Sequence, residues 1–430
     1  MSRLSPLSET ALPRVHTLDN GVRVVCDPMP LETLALSVVA GRGARFEDAA
    51  RSGWSHLLEH MVFKGAGDRT AREIVEVIEA AGGQINAATG YERTSYQVRA
   101  LEGGLDLGLA VVADLVLRPV MAPDDLQREK QVVGQEIAEA ADTPDDLVFE
   151  LAQEAAFGAH PLGRSILGTV ETIGTADPTS LQEWRSGLYS PDELVIAAAG
   201  AVDEDDLVRL AARLFGDVAQ PHARPQAQPA RFTGEVRAQA RRLEQANLVF
   251  LLPAVSTADP DYFALRLFAE ILGGGMASRL FQEAREKRGL AYTIDAYCET
   301  YADAGVLGVF AGCAAGDADE LASVVASEIA ELGRSVDAGE LARAKAQLKG
   351  GMFMGRESPA ARAEQAAGQV LLFGRPRSAR TMAEDIDAVG LEDLGRISEL
   401  LLGRRQCAVS VLGPRPALRA GESFRRALFG

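Results

Sequence analysis

A pattern of apolar residues occurs twice in this 430-residue chain, once on each side of a stretch rich in Pro, Gln, Ala and Arg at 216–233. In both copies the spacing places the apolar residues on one face of a helix, and both copies end at a hydroxyl residue followed by proline. The aligned pairs are Leu126 with Leu341, Val133 with Leu348, Ile137 with Met352, and Thr143-Pro144 with Ser358-Pro359. The sequence therefore predicts two homologous α+β domains, 1–215 and 234–430, joined by the linker 216–233.

The motif His56-Leu-Leu-Glu59-His60 lies in the first copy. Residues four apart lie on the same face of an α-helix, so both imidazoles can bind one metal ion while Glu59 projects beside them. The order is the inverse of the commoner zinc-hydrolase motif, but it delivers the same three groups. The alternative is a pair of surface histidines on an ordinary helix. A chain with only five histidines has few chances to form such a pentamer.

A catalytic zinc site usually takes three protein ligands and leaves the fourth position to water. The helix predicted at 122–138 supplies a candidate, because Glu129 and Glu136 fall on its apolar stripe. Carboxylates on a core-facing stripe are costly unless a positive group meets them. We predict that Glu136 is the third zinc ligand and that Glu129 orients a metal-bound imidazole.

The second copy lacks these acidic residues. Ala344 stands where the first copy has Glu129, and Gly351 stands where it has Glu136. No His-x-x-Glu-His motif follows the linker. We infer that the first domain binds the metal and that the second has lost it.

With Glu136 following at the right distance, the motif resembles that of the pitrilysin and insulinase-type zinc peptidases. The branch is the one similar to mitochondrial processing peptidase and its bacterial homologues. Two further landmarks extend the likeness over nearly the whole chain: the segments 82–96 and 281–292. The resemblance implies the duplicated processing-peptidase fold, in which each domain is a mostly antiparallel sheet packed with helices. It also implies one Zn²⁺ per chain on His56, His60 and Glu136, with Glu59 as general base and Glu129 as the supporting carboxylate.

The same resemblance implies a substrate-binding surface. Arg285 and Tyr292 would bind the substrate backbone near the scissile carbonyl, and the substrate would lie extended along the strand at Asn86, Ala87 and Ala88. Where the family often has an aromatic residue after Asn-Ala, this chain has Ala88. Without the metal motif, Arg285 and Tyr292 would be read as a surface arginine and a core tyrosine.

The predicted function is that of a zinc metalloendopeptidase which cleaves unfolded or short peptides inside an enclosed chamber. Two copies of the chain would form the working unit, since the longest family members carry four such domains and this chain has two. Two alternatives stay open. One is a non-catalytic structural subunit like those the family contributes to respiratory complexes, and the other is a zinc-binding protein without peptidase activity.

Composition restricts the classes of binding partner and the cellular compartment that this chain is expected to have. The net charge of −17 argues against a nucleic-acid partner and is compatible with basic peptides. The four cysteines are scattered and form no Cys-x-x-Cys pair, which fits a reducing compartment. No stretch has the apolar core of a signal peptide or the length of a membrane span. We therefore expect a cytoplasmic protein.

Overall fold

The computed structural model describes residues 12–221 and 223–430. In chain order the strands are β1 (Val15–Thr17), β2 (Arg23–Pro28), β3 (Thr33–Ala40), β4 (Gly65–Ala66), β5 (Arg69–Thr70), β6 (Gln84–Thr89), β7 (Thr94–Leu101), β8 (Leu194–Gly200), β9 (Val236–Ala240), β10 (Gln245–Ala254), β11 (Ala291–Thr300), β12 (Gly305–Ala314) and β13 (Ala408–Gly413). The helices are α1 (Trp54–Val62), α2 (Ala71–Ala80), α3 (Leu105–Leu117), α4 (Pro123–Asp142), α5 (Pro144–Phe157), α6 (Val170–Gly174), α7 (Pro178–Leu188), α8 (Glu204–Phe215), α9 (Tyr262–Gly273), α10 (Ala318–Ser335), α11 (Ala338–Gly355), α12 (Pro359–Phe373), α13 (Ala379–Ala388), α14 (Leu391–Gly403) and α15 (Ala420–Phe429). A π-helical segment, Phe281–Lys287, precedes β11.

Two large sheets repeat one topology. The first has the strand order β1-β2-β8-β3-β7-β6, and the second has the order β11-β12-β10-β13-β9. In the order given, the second sheet matches strand for strand the first sheet read from its opposite end, from β6 to β2. In both sheets every neighbouring pair is antiparallel except one, β2 with β8 and its counterpart β9 with β13. The predicted fold class, a duplicated α+β domain with mostly antiparallel sheets, is confirmed.

Each sheet is covered on one face by helices of its own half and on the other by a helix from the opposite half. Helix α5 of the first half packs against β10 and β13, and α12 of the second half packs against β3 and β8. Both helices begin at the hydroxyl–proline pairs that the repeat predicted. The hydroxyl of Ser410 donates to the carbonyl of Val148 across the first of these contacts at 2.7 Å. The halves are therefore joined by an exchange of equivalent helices.

The predicted linker contains no helix or strand in its described residues from 218 onward. Its main chain is held by the first half, because the carbonyls of Pro225 and Gln228 accept hydrogen bonds from the buried guanidinium groups of Arg42 and Arg45. The boundaries at 215 and 234 stay a prediction. None of the helices in the described ranges combines the length and apolar character needed to cross a membrane.

Candidate metal centre

Helix α1 divides its side chains between a core and a polar face. Leu57, Leu58, Met61 and Val62 are fully buried in the core of the first half. The helical period therefore turns His56, Glu59 and His60 to the other side, where α1 packs against α4 and the edge strand β6.

His56, His60 and Glu136 converge between α1 and α4. Their candidate ligand atoms all lie within 4.8 Å of one another. Glu136 Oε2 is 3.7 Å from His56 Nε2 and 3.5 Å from His60 Nε2. Ligand atoms on a tetrahedral zinc ion, with metal–ligand bonds of about 2.0–2.1 Å, are roughly 3.3 Å apart. The two separations from Glu136 are therefore close to those of a Zn²⁺ site, and two imidazoles with one carboxylate are a ligand set known from catalytic zinc sites.

Glu129 lies behind His60. It is buried, and its Oε2 is 3.1 Å from His60 Nδ1 while its Oε1 is 2.8 Å from Lys64 Nζ. A bond from Nδ1–H to a carboxylate leaves Nε2 free to bind a metal and fixes the plane of the ring. Lys64 supplies the positive charge that a buried carboxylate needs on its second oxygen.

Two groups in the centre are buried without partners. Nδ1 of His56 and Oε2 of Glu59 have no hydrogen-bond partner among the described residues. Burial lowers the pKa of His56 to about 4, and the neighbouring His60 acts in the same direction. The imidazole is therefore neutral at pH 7, as a metal ligand must be.

Burial also raises the pKa of Glu59 above its ordinary value, while polar groups of Thr89 and the charge of His60 oppose that change. A raised pKa makes a carboxylate a stronger proton acceptor than an ordinary glutamate. Its position beside the three candidate ligands is suited to proton transfer at a metal-bound water.

The predicted substrate-binding residues fall into two separate groups. Asn86, Ala87 and Ala88 lie on β6, the edge strand next to α1, and Asn86 and Ala88 are exposed. Arg285 and Tyr292 lie in the second half, at the π-helical segment and at the start of β11. Both are exposed, and within the described ranges no hydrogen bond or ion pair joins either to the metal-binding side chains. The chain thus brings β6, but not Arg285 or Tyr292, to its own centre.

Sequence reasoning missed two residues of this site. Lys64 had a signal, since it is four residues after His60 and extends the face of His56 and His60 along the chain. Glu47 had no such signal, because it reaches the site from a loop. Its carboxylate accepts hydrogen bonds from the backbone N–H groups of Gly53 and Ser55, at the start of a helix that has no capping side chain of its own.

Two family models cover most of the chain. The model described as insulinase, peptidase family M16, matches residues 23–170, and the one described as the peptidase M16 inactive domain matches residues 175–348. The chain belongs to peptidase family M16. The residues that converge on the candidate metal centre all lie within the first match, and Arg285 and Tyr292 lie within the second.

Relatives of this M16 chain carry a corresponding name. A protein of Mycobacterium bovis named an uncharacterized zinc protease is 34% identical over the full length of both chains. One of Bacillus subtilis with the same description is 32% identical and covers 93% of this chain and 98% of its own. These names support a zinc-dependent peptidase.

Solved structures agree in fold. A protease from Helicobacter pylori superposes with a TM-score of 0.87 and 21% identity, covering 94% of this chain and 99% of its own. A chain of complex III2 from Candida albicans superposes with a TM-score of 0.83, also at 21% identity, covering 96% of this chain and 99% of its own. The fold therefore occurs both in a protease and in a large complex.

Proposed function

We propose that this M16 chain is a zinc metalloendopeptidase whose single zinc ion is held by His56, His60 and Glu136. One observation carries the proposal: the three candidate ligands converge beside Glu59, a half-buried carboxylate whose buried Oε2 has no hydrogen-bond partner among the described residues. A structural zinc site would have no use for such a carboxylate, because a closed site needs ligands only.

The chain's own residues divide the chemistry. Bound zinc would lower the pKa of a coordinated water and polarise the scissile carbonyl. Glu59 takes the proton of the attacking water and passes it to the leaving amine. Glu129 keeps His60 in the tautomer and ring orientation that direct Nε2 at the metal.

The substrate is proposed to bind as an additional strand on β6. The N–H and C=O groups on the outer side of this edge strand are available for pairing with an extended peptide. Main-chain pairing selects extended chains, so we expect cleavage of unfolded or short peptides in preference to folded proteins. A folded globular protein and a 20-residue peptide cut at equal rates would count against this substrate class.

A direct test measures zinc content and cleavage of a quenched fluorescent peptide. The purified protein is expected to contain one zinc ion per chain, to lose activity with a chelator and to recover it with added zinc. Metal content without cleavage of any peptide in a varied library would favour a zinc-binding protein without peptidase activity. Absence of zinc binding would contradict the proposed function.

The working unit is proposed to be a homodimer that encloses the substrate, with Arg285 and Tyr292 of one subunit serving the zinc centre of the other. This arrangement would use the two exposed residues that the chain does not bring to its own centre. Complementation tests it: Glu59→Gln chains are mixed with Arg285→Ala/Tyr292→Ala chains and allowed to exchange. Activity well above either parent is expected, because one of the two sites in the mixed dimer is then complete. Inactive mixtures in which mixed dimers are shown to form would contradict the shared site.

A further inference from the structure

The two histidines of the candidate metal centre are held in different ways. His60 has a side-chain anchor, since its Nδ1 faces Glu129 at 3.1 Å. Nδ1 of His56 is buried and has no hydrogen-bond partner among the described residues. The position of the His56 ring therefore depends on the backbone that carries it.

That backbone lies in the first turn of a helix of only nine residues. The first N–H groups of any helix have no partner within the helix, and an uncapped end frays. The N-cap residue of α1 is Gly53, which has no side chain to supply a cap and adopts a left-handed conformation with φ +89°. A Cβ at this position would be 2.5 Å from the carbonyl oxygen of Leu167, so a serine or aspartate cannot replace it.

Glu47 supplies the missing cap from the preceding loop. Its Oε2 accepts the N–H of Gly53 at 2.9 Å, and its Oε1 accepts the N–H of Ser55 at 2.7 Å. Ser55 directly precedes His56 in the sequence. Both oxygens of one buried carboxylate are thus used on the backbone that carries the unanchored ligand.

Glu47 is itself fixed in place. It is 3% exposed, its N–H donates to the carbonyl of Ala44 at 3.1 Å, and its own carbonyl accepts from Arg164 Nη2 at 2.6 Å. Burial raises the pKa of its carboxyl to about 7. Keeping this carboxyl ionised, away from water, therefore costs free energy. Its carboxylate is held by the N–H groups of Gly53 and Ser55, with the Ser55 side chain and the charge of Arg164 also favouring its ionised form, and all of these partners but Arg164 lie at the start of α1.

We propose that Glu47 is a positioning residue of the metal centre, which acts through the first turn of α1 to hold His56 in its ligating position. Glu129 orients His60 by a hydrogen bond to the imidazole ring. Glu47 orients His56 by hydrogen bonds to the main chain at the start of α1. The inference rests on the proposed zinc site and adds a residue that touches neither metal nor substrate.

The test is Glu47→Gln, which keeps the shape of the side chain but turns an amide NH₂ toward one of the two N–H donors. Zinc affinity, measured by competition with a chromophoric chelator at pH 8, is expected to fall roughly tenfold, the low end of what indirect support of a metal ligand provides. The Co²⁺-substituted variant should show an altered visible absorption spectrum, because the geometry at His56 changes. If the variant does not fold, Arg164→Leu removes the hydrogen bond to the Glu47 carbonyl and should lower zinc affinity by a smaller factor.

Asp27→Asn is the matched control. Asp27 is a buried carboxylate of the same half, 6% exposed, but its partner is Arg362 on α12. Its substitution should lower thermal stability and leave both zinc affinity and the Co²⁺ spectrum unchanged. Wild-type affinity and spectrum in Glu47→Gln would overturn the positioning role while leaving the zinc site intact. Failure of the wild-type protein to bind zinc would instead overturn the proposed function.

Discussion

Helices α4 and α11 occupy equivalent places in the two halves, but only α4 carries the two carboxylates of the candidate metal centre. Both pack on the helix that follows the central strand of their sheet, α4 on α1 and α11 on α9. Leu126 and Leu341 are buried at matching positions, as are Glu129 and Ala344. The packing is thus kept without the carboxylates. The fold therefore does not require the candidate metal centre, whose side chains are present in only one of two copies of a common scaffold.

The largest effect is expected when α4 receives, at position 136, the residue that α11 has at the equivalent position. Glu136→Gly should remove zinc binding and peptidase activity together, because two imidazoles alone do not complete the site. Gln135→Gly is the control, since this exposed neighbour has the same helix-weakening cost of about 1 kcal/mol but contributes no ligand. Zinc content by atomic emission and peptide cleavage are measured for both. A zinc content equal in the two variants would show that Glu136 is not a ligand.

A second change separates metal binding from catalysis within the first half. Glu59→Gln should retain zinc and lower kcat by about 10²–10⁴-fold, the usual contribution of a general base. The measurement is kcat together with zinc stoichiometry on the same preparation. Zinc loss as complete as in Glu136→Gly would mean that Glu59 is a ligand and that the assignment of roles is wrong.

The first half should also carry a histidine-linked pH dependence, which the second half lacks because no histidine occurs in 234–430. The pKa of His56 is about 4 in the folded, zinc-free chain against 6.5 for the unperturbed group. The unfolded state therefore binds the extra proton as pH falls from 6.5 to 4, and the free energy of unfolding should drop by up to about 3 kcal/mol over that window. Denaturant unfolding of the zinc-free protein checks it, with His56→Gln as the reference for the groups that do not interact with His56. Parallel curves for the two proteins would contradict the pKa.

Replacing the buried carboxylate of α4 gives a smaller effect. Glu129→Gln should weaken zinc binding about 10- to 100-fold, since the amide can no longer accept from His60 with full charge and leaves Lys64 unpaired. Chelator competition measures the affinity. The double variant Glu129→Gln/Lys64→Met is the companion, and it should recover part of the stability lost by the single change. Unchanged zinc affinity in Glu129→Gln would assign this residue to packing alone.

The smallest expected effect tests whether the halves are equivalent as structures. Val148 on α5 and Val370 on α12 are both fully buried in contacts with the opposite sheet. Alanine at either position should cost about 1–2 kcal/mol of unfolding free energy, by loss of buried methyl groups. Val170→Ala, at a site that is 57% exposed, should cost almost nothing. Unequal costs for the two buried valines would indicate that one of the exchanged helices is dispensable.

The fold, and the face that His56 and His60 share, could be predicted because both depend on local spacing. The period of the apolar residues survives in both copies, and His56 and His60 need only a helix to share a face. The sequence did not reach the caps and partners that depend on tertiary placement. Glu47 meets α1 through a loop whose path no spacing predicts, and the spacing of Lys64 from His60 does not reveal its ion pair with Glu129. The exchange of α5 and α12 was also hidden, because a repeat in sequence does not say which copy of a sheet a helix covers.

That exchange places a condition on how the protein is made. The inner face of the first sheet, with Val25, Val39 and Val195, is completed by α12, which begins at Pro359. Strand β8 ends at Gly200, so at a translation rate of roughly 10 residues per second this apolar face waits about 15 seconds for its cover after the sheet itself has been synthesised. The first half therefore cannot finish folding on the ribosome ahead of the second half. During that interval the nascent chain presents a bare sheet, which is a surface for chaperones or for misassembly with another nascent chain.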